Sequence, residues 1–208
     1  MIFGSSQGYA NARRMLVSTA GGAFTGNSAG GSGAGIHASG SVVLTANSVQ
    51  FKNNTAVAGG AAILLSDASG SLYNCTMTGN SAGEAAMAGT GGGALQLDAG
   101  SNLTMSGCAA SGNHAYQGAF ALLTRGSALY VTDSSVASNR AGWSGGFASV
   151  QGSSLLLVSN STIAHNVAPV GPAISFSSSP SGVALSNTRF MDNLVRSQML
   201  HTCGQWRN

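Results

Sequence analysis

Phe51-Lys52-Asn53-Asn54-Thr55-Ala56, followed by Gly59-Gly60-Ala61-Ala62-Ile63, is one copy of a unit that recurs along most of the chain. The unit is an apolar residue, two variable residues, Asn, one residue, Ala, and then a Gly-rich step into a short apolar run. Its Asn residues are Asn27, Asn54, Asn80, Asn113, Asn139, Asn166 and Asn193, at intervals of 27, 26, 33, 26, 27 and 27 residues. The long interval is 27 plus a six-residue insertion within Gly83 to Thr90 (GEAAMAGT). Self-similarity at a fixed period of this length marks a solenoid, and it outranks any local propensity.

Aligning the copies on the Asn shows which positions face inward. Three residues before it stand Phe24, Phe51, Met77, Ala110, Val136, Ile163 and Phe190; two after it come Ala29, Ala56, Ala82, Ala115, Ala141 and Ala168, then Val195. Nine after it come Ile36, Ile63, Leu122 and Ala148, with Leu95 once the insertion is removed, and eight before it Ala46, Leu72, Met105, Val131, Val158 and Leu185. Gly-Ser steps at 40–41, 70–71, 100–101, 126–127 and 152–153 mark a turn between the last two columns. Within segments such as Leu103-Thr104-Met105, apolar and polar residues alternate with the period of a strand. Gly at this density weakens any helix interior.

The expected fold is therefore all-β: a right-handed parallel β-helix over residues 23–195, with about six to seven coils of about 27 residues and three short strands per coil. The right hand follows from the bias of parallel crossovers. Residues 1–22 read as an irregular segment or partial coil, and 196–208 as a tail or partial cap bearing Met199, Leu200 and Trp206. The seven Asn residues have a structural task. Asn tolerates a left-handed backbone at a tight turn, and stacked amides at strand spacing form a ladder.

Composition narrows the function classes. The chain has 208 residues, is 43% hydrophobic and only 6% charged, which suits a thin packed core and not a disordered segment. The net charge of +3 rests on eight Lys/Arg against five Asp/Glu, and only Arg13-Arg14 cluster. Nucleic-acid binding needs a basic stripe along one face, and none is present. No apolar run reaches the roughly 18–20 residues of a membrane span, and Met1 to Ala20 lacks the apolar core of a signal peptide. Cys75 and Cys108 both lie five residues before a ladder Asn, so they stack in successive coils, as two small buried side chains or as an inter-coil disulfide.

The FxxN stretches at 24–27, 51–54 and 190–193, with Gly60-Ala61-Ala62-Ile63, Gly92-Gly93-Ala94-Leu95 and Gly145-Gly146-Phe147-Ala148, resemble the repeats of the chlamydial polymorphic outer-membrane proteins. More widely they resemble right-handed β-helices of the pectate-lyase-like class. The resemblance covers roughly residues 21–195 and implies a surface-exposed or secreted passenger involved in adhesion.

That class also includes polysaccharide lyases and hydrolases, which makes an acidic-polysaccharide enzyme the rival reading. Asp67, Asp98 and Arg125 sit just before turn glycines of successive coils, where two carboxylates and an arginine could hold a cation or a uronate. Tyr116 and Trp143 follow Ala115 and Ala141, and stacked there they would offer a sugar platform. The four histidines lack metal-ligand spacing, and nothing in the sequence calls for a cofactor. Sequons at Asn53, Asn74, Asn102 and Asn160 fit a secreted chain. The resulting expectation is a non-enzymatic extracellular or cell-surface β-helix that binds carbohydrate or a host or cell-surface protein, and whose open ends favour self-association.

Overall fold

The computed structural model describes residues 2–5, 15–83, 90–177 and 181–196. Residues 84–89, which hold most of the insertion, and the tail from 197 with Met199, Leu200, Cys203 and Trp206 lie outside them.

The chain winds into a parallel β-solenoid, and no helix forms among the described residues. One coil serves for all: Ile36–Ser39, Val42–Asn47, Gln50–Lys52 and Thr55–Ala56 each enter a different sheet. These are sheets A, B, C and D in chain order. Every sheet has seven strands, stacked in the order of the coils. Strands Ile2–Ser5 and Met15–Ala20 already pair in register with Ile36–Ser39 and Val42–Asn47.

The coil thus carries four strands where the sequence period predicts three. The segment around the ladder Asn is two strands, because the residue just before the Asn turns left-handed. Gly26, Asn53, Gly79, Gly112, Ser138, His165 and Asp192 all have φ between 48° and 65° there. That turn ends the ladder through Phe51 and starts the one through Ala56. It also corrects the task assigned to the ladder Asn: the preceding residue makes the turn, and the Asn itself points inward.

Inside, the amides stack as the spacing implies. Each Nδ2 donates to Oδ1 of the Asn one coil on, at 2.8–2.9 Å through all six steps. The same Oδ1 accepts the preceding Asn's backbone N–H at 3.0–3.1 Å. The second Nδ2 hydrogen goes back to a backbone carbonyl of the previous coil, as from Asn80 to Phe51 and from Asn113 to Met77, both 3.0 Å. Asn80 and Asn113 therefore use both donors and their acceptor while fully buried, which removes the penalty of burying an amide. The step from Asn80 to Asn113 spans the insertion without any change in geometry.

The core lies between the sheets. Ala46, Leu72, Met105, Val131 and Val158 form one buried column of sheet B, in register. Phe51 stacks on Phe24 at 5.2 Å between centroids, and Phe120 on Phe147 at 5.7 Å. Sheet A departs from expectation by one residue. Ala121, not Leu122, continues the inward column of Ile36, Ile63, Leu95 and Ala148. The connection from sheet D is one residue shorter in that coil (eight residues from Asn113 to Ala121, against nine from Asn54 to Ile63), so the alignment on Asn slips. Leu122 points outward yet is fully buried, like Ser149 beside it. What covers this face is the Gly-rich step. Gly118 and Gly145 are left-handed, with φ +56° and +69°, and a Cβ on either would strike the carbonyl of the strand it leads into. Only Gly lets the chain lie this close.

Cys75 and Cys108 are free and buried. The Cys75 N–H donates to Cys108 Sγ at 3.3 Å. Further on, Ser134 and Ser161 fill the same column, accepting from the N–H of Cys108 and of Ser134 at 3.1 Å. Hydrogen bonding with Cys75, and then burial, push the Cys108 thiol well above its ordinary range, so it stays protonated at neutral pH.

Two substitutions test these ladders in urea unfolding. Asn113→Ala leaves the buried N–H and Nδ2 of Asn80 without an acceptor and is expected to cost about 3 kcal/mol, whereas Asn27→Ala, at the half-buried first rung, costs about 1 kcal/mol. Cys108→Ser keeps an acceptor for Cys75 and shifts stability by less than about 1 kcal/mol, whereas Cys108→Val orphans that N–H and costs more, about 1–3 kcal/mol.

Candidate functional site

The edge between sheets A and B carries the charged residues singled out by spacing. There the backbone turns left-handed at Asp67, Ala99 and Arg125, with φ of 52°, 52° and 50°. Asp tolerates this turn, since its short side chain bonds locally. Arg125 has no such local bond, and its long side chain reaches along the axis.

Asp98 and Arg125 are brought together. Arg125 Nε donates to Asp98 Oδ1 at 2.6 Å, and its terminal nitrogen pairs with Oδ2. Thr124 Oγ1 also donates to Oδ1, at 2.7 Å. The pair is bidentate, the geometry in which guanidinium and carboxylate match best. The Asp98 side chain is mostly covered, and Arg125 caps it from the solvent side. Both charges are thus paired within the turn.

Asp67 is not part of this cluster. The register pairs Asp98 with Ser66, one residue short of Asp67. Asp67 instead lines a shallow groove of about 260 Å³ with Ser41, Ser69, Gly100 and Asn102. Its carboxylate is exposed and makes no ion pair among the described residues. The expected trio is therefore a pair and a bystander, separated by the one-residue offset between the strand end and the turn.

Tyr116 and Trp143 fall beside each other in sheet D, but a bulge divides them. Ala115 pairs with Ala141 and Gln117 with Ser144, so Tyr116 alone faces both Gly142 and Trp143. The Tyr116 ring lies against Gly142, and Trp143 is exposed. No ring-on-ring platform forms between them among the described residues. Among the described residues the two remaining aspartates are also engaged at turns: Asp133 accepts from Thr132 at 3.1 Å, and Asp192 lies 3.8 Å from His165. Among the described residues no group of three His, Cys, Asp or Glu comes together.

Sequence reasoning passed over a different surface. One outward column of sheet B runs Thr45, Ser71, Thr104 and then changes to Tyr130, Leu157 and Ala184. Tyr130 and Leu157 line an open groove of about 230 Å³ with Leu185, and Tyr130 and Leu155 are exposed. A signal for this was present. Leu155-Leu156-Leu157 breaks the two-residue alternation, so a run of three leucines must place two outward. A second open groove, polar and about 650 Å³, follows the corner between sheets B and C at Asn160, Thr162, Asn187 and Arg189. There Asn187 Nδ2 donates to Asn160 Oδ1 at 2.9 Å.

A family model for a right-handed β-helix region matches residues 15–194. The chain belongs to that family. The match spans the coils from Met15–Ala20, the first strand of sheet B, into Leu194–Val195, the last of sheet D, and it sets the hand of the coil. Comparisons with curated proteins and with solved structures give no match. Membership in the β-helix family states the architecture and leaves the chemistry to the residues above. No helix among the described residues is long and apolar enough to cross a membrane.

The Asp98–Arg125 pair sits at a solvent-facing turn, so Asp98→Ala is expected to cost no more than about 1 kcal/mol. Part of that loss should vanish in molar salt, as read from urea midpoints at low and high ionic strength.

Proposed function

We propose that this β-helix is a non-catalytic binding and structural segment of a surface or secreted protein. The observation that carries the reading is the closure of Asp98 by Arg125 and Thr124. The best-placed acidic residue serves the turn in which it stands, and its partners are scaffold to it. Cleavage of a glycosidic bond by acid–base chemistry asks for two carboxylates facing one substrate, and Asp67 faces a separate groove.

Support for binding comes from the outward faces. The strands present straight rows of Ser, Thr and Ala at strand spacing, interrupted by the Tyr130–Leu157 strip. Such a surface suits an extended partner, either a carbohydrate chain lying on aromatic and aliphatic side chains or a protein on a cell surface. The FxxN and GGA(I/L) resemblance points the same way, toward adhesion outside the cell. The sequon residues Asn53, Asn74, Asn102 and Asn160 are all exposed, which is compatible with that location.

The alternative, a carbohydrate-active β-helix acting on an acidic polysaccharide, keeps one supporting feature: the free Asp67 carboxylate in its groove with Ser41 and Asn102. Incubation with pectin and with alginate, with and without calcium, separates the two readings by release of unsaturated or reducing ends. The expected result is no turnover above buffer. Turnover that Asp67→Ala and Asp98→Ala abolish together would replace the binding reading by the enzymatic one.

A further inference from the structure

One inward column of the fold changes its chemistry part-way along. Five residues before the ladder Asn of successive coils stand Cys75, Cys108, Ser134 and Ser161. Ser134 and Ser161 each accept the N–H of the residue one coil back. Each also donates to the carbonyl two residues before itself, at 2.7 and 2.6 Å. Cys75 and Cys108 repeat the pattern with sulfur. Their Sγ atoms donate to the carbonyls of Tyr73 and Ser106, both at 3.3 Å, and Cys108 Sγ accepts the Cys75 N–H. A hydroxyl is the stronger donor and acceptor of the two, so this task does not call for sulfur. What sulfur adds is oxidation.

The two thiols are placed for it. Tyr73 pairs with Ser106 and Thr76 with Ala109, which sets Cys75 opposite Cys108 in the adjacent coil. Both stand at the corner between sheets B and C, between strands Ser69–Tyr73 and Thr76–Thr78 in one coil and Asn102–Ser106 and Ala109–Ser111 in the next. Neighbouring strands lie about 4.8 Å apart, inside the roughly 4.4–6.8 Å between the Cα atoms of a disulfide. The thiols also hydrogen-bond to each other. That bond brings the Cys75 thiol below its ordinary pKa against the opposing effect of burial, and it raises Cys108. Since the thiolate is the nucleophile, Cys75 is the attacking sulfur and Cys108 the resolving one.

We propose that Cys75 and Cys108 form an oxidisable dithiol site, which closes to a disulfide between adjacent coils with a small-molecule disulfide such as glutathione disulfide as oxidant. The Cys75 thiolate attacks one sulfur of the oxidant, giving a mixed disulfide and releasing one small thiolate. The negative charge beside Cys108 is then gone. Cys108 passes its proton to the released thiolate, and its sulfur attacks Cys75 Sγ and expels the second small thiolate, which takes up a proton. Two protein thiols and one small disulfide become one protein disulfide and two small thiols, with two electrons passing to the oxidant. The link joins residues 33 apart, across the longest of the coil steps, where the others are 26 or 27. Closing such a loop restricts the unfolded chain and so favours the folded coil. Cys75 is 0% and Cys108 3% exposed, so exchange takes place as the coil winds or as the corner opens locally. This chemistry does not depend on what the outer faces bind.

The full chain carrying Cys203→Ser, which removes the third cysteine, provides the test. It is refolded from urea in mixtures of glutathione and glutathione disulfide, and remaining thiols are blocked with N-ethylmaleimide in urea. Trypsin with a glutamate-specific protease releases residues 53–84 and 85–125 as separate peptides, each with one cysteine. Under oxidising mixtures the two peptides are expected joined, from a monomeric chain with an unchanged β-sheet circular dichroism spectrum, and separated by dithiothreitol. The oxidised chain is expected to unfold at a higher urea concentration than the reduced one. Cys108→Ser, which keeps an acceptor for the Cys75 N–H, is expected to lose that difference while still folding. Both cysteines blocked by maleimide at every ratio in a folded chain would overturn the proposal. So would a reaction that stops at the glutathione adduct, a link found only between two chains, or a linked chain no more resistant to urea than the reduced one.

Discussion

An amide side chain that must hydrogen-bond to its own counterpart one coil away imposes a length on everything between the two. The Asn column tolerates no drift. Its Nδ2–Oδ1 separation stays within 2.8–2.9 Å across six steps, although the chain between successive amides varies from 26 to 33 residues. Extra length has to leave the coil as a loop, and missing length has to come out of a turn. The shortened step before Ala121 is a case of the second. A buried amide unable to find its partner would cost more than either adjustment, and so the turns adapt to the ladder.

Around that column the other stacks are looser versions of the same device. The thiol and hydroxyl column from Cys75 to Ser161 offers one acceptor per coil to a backbone N–H left over at a turn. The phenylalanine pairs add area and shape where the sheets meet. Left-handed residues occupy the corners, some as Gly and many as Asn, Asp or Ser, whose short polar side chains make that backbone conformation tolerable. Ala99, Arg125 and His165 are exceptions, and the Arg125 guanidinium closes on Asp98. Of the three residues grouped by spacing, Asp98 and Arg125 close on each other at a corner and Asp67 stands apart.

Stacking also explains why polar residues are distributed as they are. Side chains in one column lie at strand spacing, so like charges placed there would repel at close range. The outward positions hold many Ser, Thr and Ala and few charges, and the Asp98–Arg125 pair closes across a corner. The Tyr130–Leu157 strip departs from this pattern.

The residues alone determined the period, the solenoid, the strand alternation and the identity of the ladder, because each is a one-dimensional property: a spacing, or the side of a pleat. The columns through Phe51, Ala56 and Leu72 were readable for the same reason. Only the tertiary structure decided the four-way division of the coil, the outward burial of Leu122, the pairing of Asp98 with Arg125 but not with Asp67, and the separation of Tyr116 from Trp143. These depend on single-residue offsets at turns, where backbone handedness and not hydrophobic pattern sets the register, and a one-residue slip changes which side chains meet.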